Sequence, residues 1–410
     1  MRSFLLAALG LAIAGWASVP APAPTVAAAP AEARAPVTIL VSIDGFRADY
    51  LDRGITPNLS ALAARGARAA MRPSFPTKTF PNHYTIVTGL RPDRNGIVDN
   101  NMEDPRRPGV TFSMGNAAQA LDSFWWDEAE PIWASAERVG IRTATLFWPG
   151  SEVAHGGLRP SAWQRFDENI TGAQRVEAVM DWMRRPAGIR PRFVTLYFDA
   201  VDTAGHHFGP DAAETDQAIA ETDARVGDLL AGLEALGQPA NIVVVADHGM
   251  AATGPARVVP IASLVDPARV RIISDGAHAA LQPLPGREEE VAAALLRPRD
   301  HVQCWRRSAI PERLHYGSNP RVAAFICVAE AGWLLTRPDR EPMFGGAHGY
   351  DPASDEMLAL FVAAGPAFRS GTTLPTFDNV HVYPLLARLI GIAPRPSDGD
   401  AAATEAALAR

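Results

Sequence analysis

The hydrophobic pattern of this chain is dominated by short apolar, β-branched runs that end abruptly in polar residues. Val37–Ile43 runs into Asp44, and Phe193–Phe198 leads to Asp199 and Asp202. Ile242–Ala246 runs into Asp247 and His248, and Leu358–Ala363 ends near Gly365. Near-continuous apolar runs of this length predict strands buried on both faces. Helical spacing fills the intervals. Thr56-Pro57 is a helix start, with Leu59, Leu62 and Ala63 following until Gly66. Asp211 to Leu236 carries Ile219, Thr222, Val226, Leu229, Leu230 and Leu233 on one stripe, and Asp378 is placed to cap a helix bearing Val382, Leu385, Leu386 and Leu389.

Strands alternating with helices predict an α/β fold, with a mostly parallel central sheet covered by helices on both faces. Ligands in such folds bind beyond the carboxyl ends of the strands, where Asp44, Asp202, Asp247 and His248 fall. The rhythm breaks between about residues 251 and 343, where short strand-like pieces mix with many Pro and Arg residues. That stretch reads as an inserted subdomain within a catalytic domain of residues 36–395. The Ala-rich, polar segment 396–410 reads as a flexible tail.

Composition narrows the class. A chain of 410 residues with 47% apolar residues can bury a sizeable core. A formal net charge of -7 argues against a nucleic-acid-binding or polybasic membrane-surface protein. Arg2 followed by the apolar run Leu5–Trp16 and an Ala/Pro-rich stretch to Ala35 reads as a secretory signal and linker. The run is too short to cross a bilayer. A periplasmic or secreted protein is therefore expected, its mature chain beginning at or before Pro36. Cys304 and Cys327 form no Cys-x-x-Cys pair, which argues against a sulfur-ligated metal. They are either two buried thiols or one disulfide in an oxidising compartment.

Four clusters carry candidate chemistry: Asp44-Gly45; Pro76-Thr-Lys-Thr-Phe-Pro-Asn-His-Tyr84; Asp202-x-x-x-His206 followed by Gly209-Pro210; and Asp247-His-Gly-Met250, joined later by Gly346-Ala-His-Gly-Tyr350. Singly, each has an ordinary structural explanation as a cap, a turn or a loop. Together, three Asp and three His at one predicted sheet edge make a sulfur-free N/O ligand set. That set suits zinc and is large enough for two ions. Two such ions can clamp the attacking and leaving oxygens of a phosphoryl displacement, and can lower the pKa of a hydroxyl that must attack.

These motifs, in this order from about Val37 to Ile392, resemble the nucleotide pyrophosphatase/phosphodiesterase family of the alkaline phosphatase superfamily. The resemblance implies two Zn2+ per chain, one held by Asp202, His206 and His348 and the other by Asp44, Asp247 and His248. It implies Thr79 as nucleophile and metal contact between them, at a helix start that favours the anionic phosphate. It assigns Asn100 to a phosphate oxygen, and Phe80 and Phe166 to the two faces of a nucleobase. Family members commonly have Tyr where Phe166 stands. Tyr197 is a further substrate-pocket candidate, with an ordinary place in the core as its alternative, as for Phe166. His83 reads as helix packing, His207 as pointing elsewhere, and Thr77 and Lys78 as positioning residues.

The implied activity is cleavage of nucleotide pyrophosphate and phosphodiester bonds, for example ATP to AMP and pyrophosphate, through a phospho-threonine intermediate. The expected partners are nucleotides, with no nucleic-acid-binding surface and no stable membrane span. The alternatives are a phosphomonoesterase or lipid-type phosphodiesterase on the same scaffold, or a zinc-binding protein without catalysis.

Overall fold

A computed structural model describes residues 34–409; the signal and linker expected over residues 1–35 lie outside them apart from the last two. Three strands form the centre of the fold. Val37–Ile43 pairs in parallel with Phe193–Phe198 on one side and Ala240–Val245 on the other. Every residue of the first two strands is buried, as uninterrupted β-branched runs require when helices cover both faces of the sheet. Thr143–Leu146 and Ala162–Gln164 extend the parallel sheet beyond Phe193–Phe198. On the other side Ala359–Ala364 runs antiparallel to both Ala240–Val245 and Ala67–Arg72. The short strands Thr372–Thr373 and Phe377–Asp378 complete nine. The sheet is mixed at this edge and parallel at its centre.

Register sets the position of the site. Ile43 pairs with Phe198, and Ser42 pairs with both Tyr197 and Val245. The three central strands therefore end level, and the residues that follow them emerge side by side.

The helices agree with the apolar periodicity. Pro57–Ala64 buries Leu59, Leu62 and Ala63. Ala213–Ala235 buries Ile219, Thr222, Val226, Leu229 and Leu233, with Leu230 half-buried. Among the described residues no helix is long and apolar enough to cross a membrane.

Two expectations need correction. Val382–Ile390 is a helix, but Asp378 does not cap it: His381 stands at its N-cap and a short 3-10 turn precedes it. The Asp378 carboxylate pairs instead with Arg72 and Arg91, since two guanidiniums in reach outcompete a helix end one turn away. The tail is also not loose. Thr404, Ala407 and Leu408 are buried, and the backbone N–H groups of Arg369 and Ala409 donate to Ala407 and Ala367. Two apolar side chains and paired backbone groups are enough to seat a segment that composition alone reads as free.

The segment between Ala240–Val245 and Ala359–Ala364 contains an antiparallel sheet of four strands, in the order Val270–Ser274, His278–Pro283, Phe325–Ala329, Val302–Arg306. Leu281, Val291, Phe325 and Cys327 belong to its own apolar cluster. Ala280, Ile326 and Val328, on the opposite face of the same strands, join the main core. Cys304 and Cys327 stand opposite each other on neighbouring strands and form a disulfide.

Candidate active site

The carboxyl ends of the central strands deliver the first ligands. Asp44 follows its strand with its N–H still paired to Phe198 O. Gly45 then turns the chain at φ +67°, and its N–H donates to Asp247 Oδ1 at 3.2 Å. A Cβ at Gly45 would lie 2.9 Å from the Asp202 backbone, so glycine is needed for both the conformation and the close approach. Asp202 and His206 sit one turn apart on the helix Ala200–Phe208, facing the same way. His348 comes from the loop after Gly346–Ala347, a short strand paired with Ala251–Ala252 just beyond Asp247-His248.

The six expected ligands form one cluster. His206 Nε2 lies 3.5 Å from Asp202 Oδ2 and 3.1 Å from His348 Nε2. His248 Nε2 lies 2.9 Å from Asp247 Oδ2 and 3.4 Å from Asp44 Oδ1. The rings of His248 and His348 stack at 3.5 Å, joining the two halves. His83 also reaches Asp44 and Asp247, but both its nitrogens are used. Nδ1 donates to Thr79 O at 2.9 Å, and Nε2 accepts from Ser42 Oγ at 2.8 Å. In this pairing it packs the helix against the first strand and leaves no lone pair for an ion. His207 is exposed on another face of its helix.

Hydrogen bonding tests whether this cluster fits a cation. The Nδ1 atoms of His206, His248 and His348 each meet a backbone carbonyl, of Gly346, Gly249 and Thr77, at 2.9, 2.9 and 2.8 Å. A carbonyl can only accept, so each Nδ1 carries a proton, and each ring in its neutral form presents the Nε2 lone pair to the cluster. Asp44 Oδ1, Asp202 Oδ1 and Asp247 Oδ2 are buried there without a hydrogen-bond donor. Lone pairs facing lone pairs in a buried space call for positive charge between them.

The titrating groups show where charge sits within the cluster: burial opposes protonation of His248, but Asp247 outweighs it and raises that histidine above its usual value. Burial, then the charges of Asp247 and Asp202, push the Asp44 carboxyl well above its usual range. Burial opposes ionisation of Asp247 too, but His248 and His83 outweigh it and hold that carboxyl well down. Burial, with His248 and His206 beside it, holds His348 well below the usual histidine value, so it stays neutral and free to ligate.

Thr79 opens the helix Thr79–Thr88, with its hydroxyl 3.4 Å from His248 Nε2. The surrounding motif fixes it. Asn82 Nδ2 donates to the carbonyls of Pro76 and Lys78, and Asn82 Oδ1 accepts from Ser74 N–H. Thr77 Oγ1 donates to Tyr350 O and accepts from Gly349 N–H, tying the segment to the His348 loop. Lys78, the only lysine in the chain, passes over Gly349, where a Cβ would lie 2.8 Å from Lys78 Cε. Asn100 Oδ1 accepts from Phe80 N–H at 2.9 Å, which leaves its amide NH2 free.

The expected base-binding residues are more dispersed. Phe166 is 46% exposed, so it is not a core aromatic. It stands edge-on to Phe147 and Tyr197, at 5.4 and 6.1 Å between centroids. Phe80 is half-buried against Phe112 and Trp126. Tyr197, the further pocket candidate, sets its ring against Phe166, and its hydroxyl donates to Asp44 Oδ2 at 2.6 Å. Sequence reasoning missed that role, and strand alternation alone could not have revealed it. It also missed Asp99 and His278, which meet at 2.8 Å behind Asn100; no motif links residues so far apart in the chain.

The family model for type I phosphodiesterase/nucleotide pyrophosphatase matches residues 38–351. A pyrophosphatase/phosphodiesterase of Schizosaccharomyces pombe is 36% identical over 385 residues, covering 88% of this chain and 78% of that protein. A bis(5′-adenosyl)-triphosphatase of Xenopus laevis is 35% identical over 378 residues, covering 91% and 82%. Among solved structures, an inactive variant of murine ectonucleotide pyrophosphatase/phosphodiesterase 5 in complex with AMP superposes with a TM-score of 0.88. It is 32% identical, with 92% of this chain and all of that one covered.

Proposed function

The chain belongs to the type I phosphodiesterase/nucleotide pyrophosphatase family of hydrolases, and from that premise we propose that it is a two-zinc enzyme that cleaves nucleotide pyrophosphate and phosphodiester bonds with Thr79 as nucleophile. The observation that carries this reading is the Thr79 hydroxyl at a helix N-terminus, beside three buried carboxylate oxygens that lack donors and three histidine Nε2 lone pairs. Asp202, His206 and His348 would hold one ion, and Asp44, Asp247 and His248 the other, with Thr79 between. A nitrogen- and carboxylate-rich set suits zinc. When bound, the two ions supply the positive charge that lowers the hydroxyl pKa and neutralises the phosphate oxygens.

The chain's own residues supply orientation and the nucleophile. The helix start and the free Asn100 amide favour an anionic phosphate placed over Thr79. Thr79 Oγ gives up its proton to solvent and forms a bond to the phosphorus bearing the nucleoside, while the bond to the pyrophosphate or alcohol oxygen breaks on the opposite side and that group leaves, taking a proton from solvent where it needs one. Water then attacks the phospho-threonine, and the nucleoside monophosphate leaves with Thr79 restored. Phe80 and Phe166 offer flat apolar faces to the base, which supports breadth among nucleotides. The AMP held by the murine relative supports a nucleoside monophosphate as product. Export to the periplasm or beyond is part of this reading, supported by the N-terminal pattern and by the Cys304–Cys327 disulfide.

Product analysis tests the assignment. ATP should give AMP and pyrophosphate, and two successive displacements should retain configuration at a chiral phosphorus. ADP and phosphate as products, or inversion, would overturn it.

A further inference from the structure

The inserted four-stranded sheet reaches the active-site edge through a buried polar chain. His278 begins the strand His278–Pro283, and Ser274 ends Val270–Ser274. Both donate to Asp99 Oδ2, at 2.8 Å each. Asp99 Oδ1 accepts the N–H of Asn100 at 2.6 Å, and Asn100 Oδ1 accepts the N–H of Phe80 at 2.9 Å. Phe80 directly follows Thr79. His278 is fully buried, Asp99 and Asn100 nearly so. The His278 Nδ1 atom has no partner, and the ring lies edge-on to Phe75 at 5.8 Å. Leaving a buried nitrogen unpaired is unfavourable, so packing alone would be better served by an apolar side chain. What the imidazole contributes is its Nε2–H, directed at Asp99.

We propose that His278 is a positioning residue for phosphoryl transfer: by holding Asp99 it sets Asn100, and so aims the Asn100 amide at the transferred phosphate. The proposal rests on the reading of Asn100 as a phosphate contact. Without the His278 donor, the Asp99 carboxylate keeps only Ser274 on that oxygen. A buried carboxylate short of donors rotates or takes up a proton. Either change weakens the acceptor that fixes the Asn100 backbone, and a misplaced donor stabilises the transition state less than an aligned one. The inserted segment is on this account part of the catalytic apparatus, although it supplies no residue to the proposed metal set.

A double-mutant cycle on a nitrophenyl nucleotide tests this, using wild type, His278→Ala, Asn100→Ala and the double variant, with zinc content and Tm measured for each. In the wild-type background His278→Ala should lower kcat roughly ten- to a hundredfold, the size of a hydrogen bond to a charged group. KM and bound zinc should change little. In the Asn100→Ala background the same substitution should cost less than about twofold. His278→Gln, which keeps an N–H donor at similar reach, should recover part of the loss. Equal losses in the two backgrounds, with Asn100→Ala itself impaired, would overturn this proposal alone. A fully active Asn100→Ala would overturn the phosphate-contact reading and this proposal together. If His278→Ala does not fold, Ser274→Ala runs the same cycle, with a smaller loss and the same non-additivity expected.

Discussion

The candidate ligand cluster and the candidate base-contacting aromatic Phe166 are held differently. Asp44 and Asp247-His248 follow strands whose registers bring their ends level, and all three candidate ligand histidines are oriented by backbone carbonyls. Phe166 is nearly half exposed, held by edge contacts to two rings and by its N–H on Glu152. A charged cluster tolerates little displacement, because Coulomb terms in a buried site are steep. An aromatic face that stacks on any base tolerates more, because dispersion is broad and weakly directional. The candidate ligands are thus pinned by strand ends, a helix and backbone carbonyls, while Phe166, the exposed candidate for a base contact, is held more loosely.

The sharpest way to break that comparison is at Thr79. Thr79→Ala should reduce turnover by roughly three or more orders of magnitude, as removal of a covalent nucleophile does, with Tm and most bound metal retained. Thr79→Ser should keep a measurable fraction. Full activity in the alanine variant, measured on a nitrophenyl nucleotide, would make Thr79 a positioning residue and leave attack to water.

Metal removal comes next. Chelation should abolish activity on nucleotide and base-free diesters alike, and zinc should restore both. Elemental analysis of His348→Ala should show one ion lost preferentially, since His348 Nε2 lies 3.1 Å from His206 Nε2 and 3.7 Å from Asp202 Oδ1. Undiminished turnover in chelator would sink the two-metal reading.

Acid probes the polar chain behind the cluster. Burial alone would raise Asp99, but His278, its hydrogen bonds and the charge on Lys78 outweigh it and hold the carboxyl at about 2. The folded value lies below the unfolded one, so the unfolded chain binds the proton first. The stability this contributes, roughly 2–3 kcal/mol, is fully present above about pH 4 and is lost as pH falls towards 2. Asp99→Asn should flatten that limb of the stability profile by denaturant unfolding; an unchanged profile would show that Asp99 is not its source.

The smallest effect is expected at the pocket. Phe166→Ala should weaken nucleotide use by about 1–3 kcal/mol, the size of one stacking contact, and leave turnover of a base-free diester nearly unchanged. Equal losses on the two substrates would place Phe166 in support of the metal edge and erase the distinction between the regions.

Much of this protein could be read from its sequence. Val37–Ile43 and Phe193–Phe198 form strands with the bounds their apolar runs predict, because a strand covered on both faces must be apolar throughout. The Asp and His motifs at the strand ends were equally plain, since each is a short local pattern and the fold class says where such ends meet. The family resemblance singles out Phe166, with a core aromatic as its alternative, and only the structure shows it exposed.

Tertiary structure alone decided the relations between distant residues. Tyr197 belongs to a strand that alternation leaves ambiguous, and its hydroxyl reaches Asp44 only because Ser42 and Tyr197 are in register. Cys304 and Cys327 bond because their antiparallel strands place them opposite each other. Asp378 turned to two arginines, and the tail docked through Leu408. His278 meets Asp99 across 179 positions of sequence. Local pattern fixes which way a side chain faces along its own element, by the period of a helix or a strand. Which partner it then finds depends on register and packing between elements, and no window of sequence contains that information.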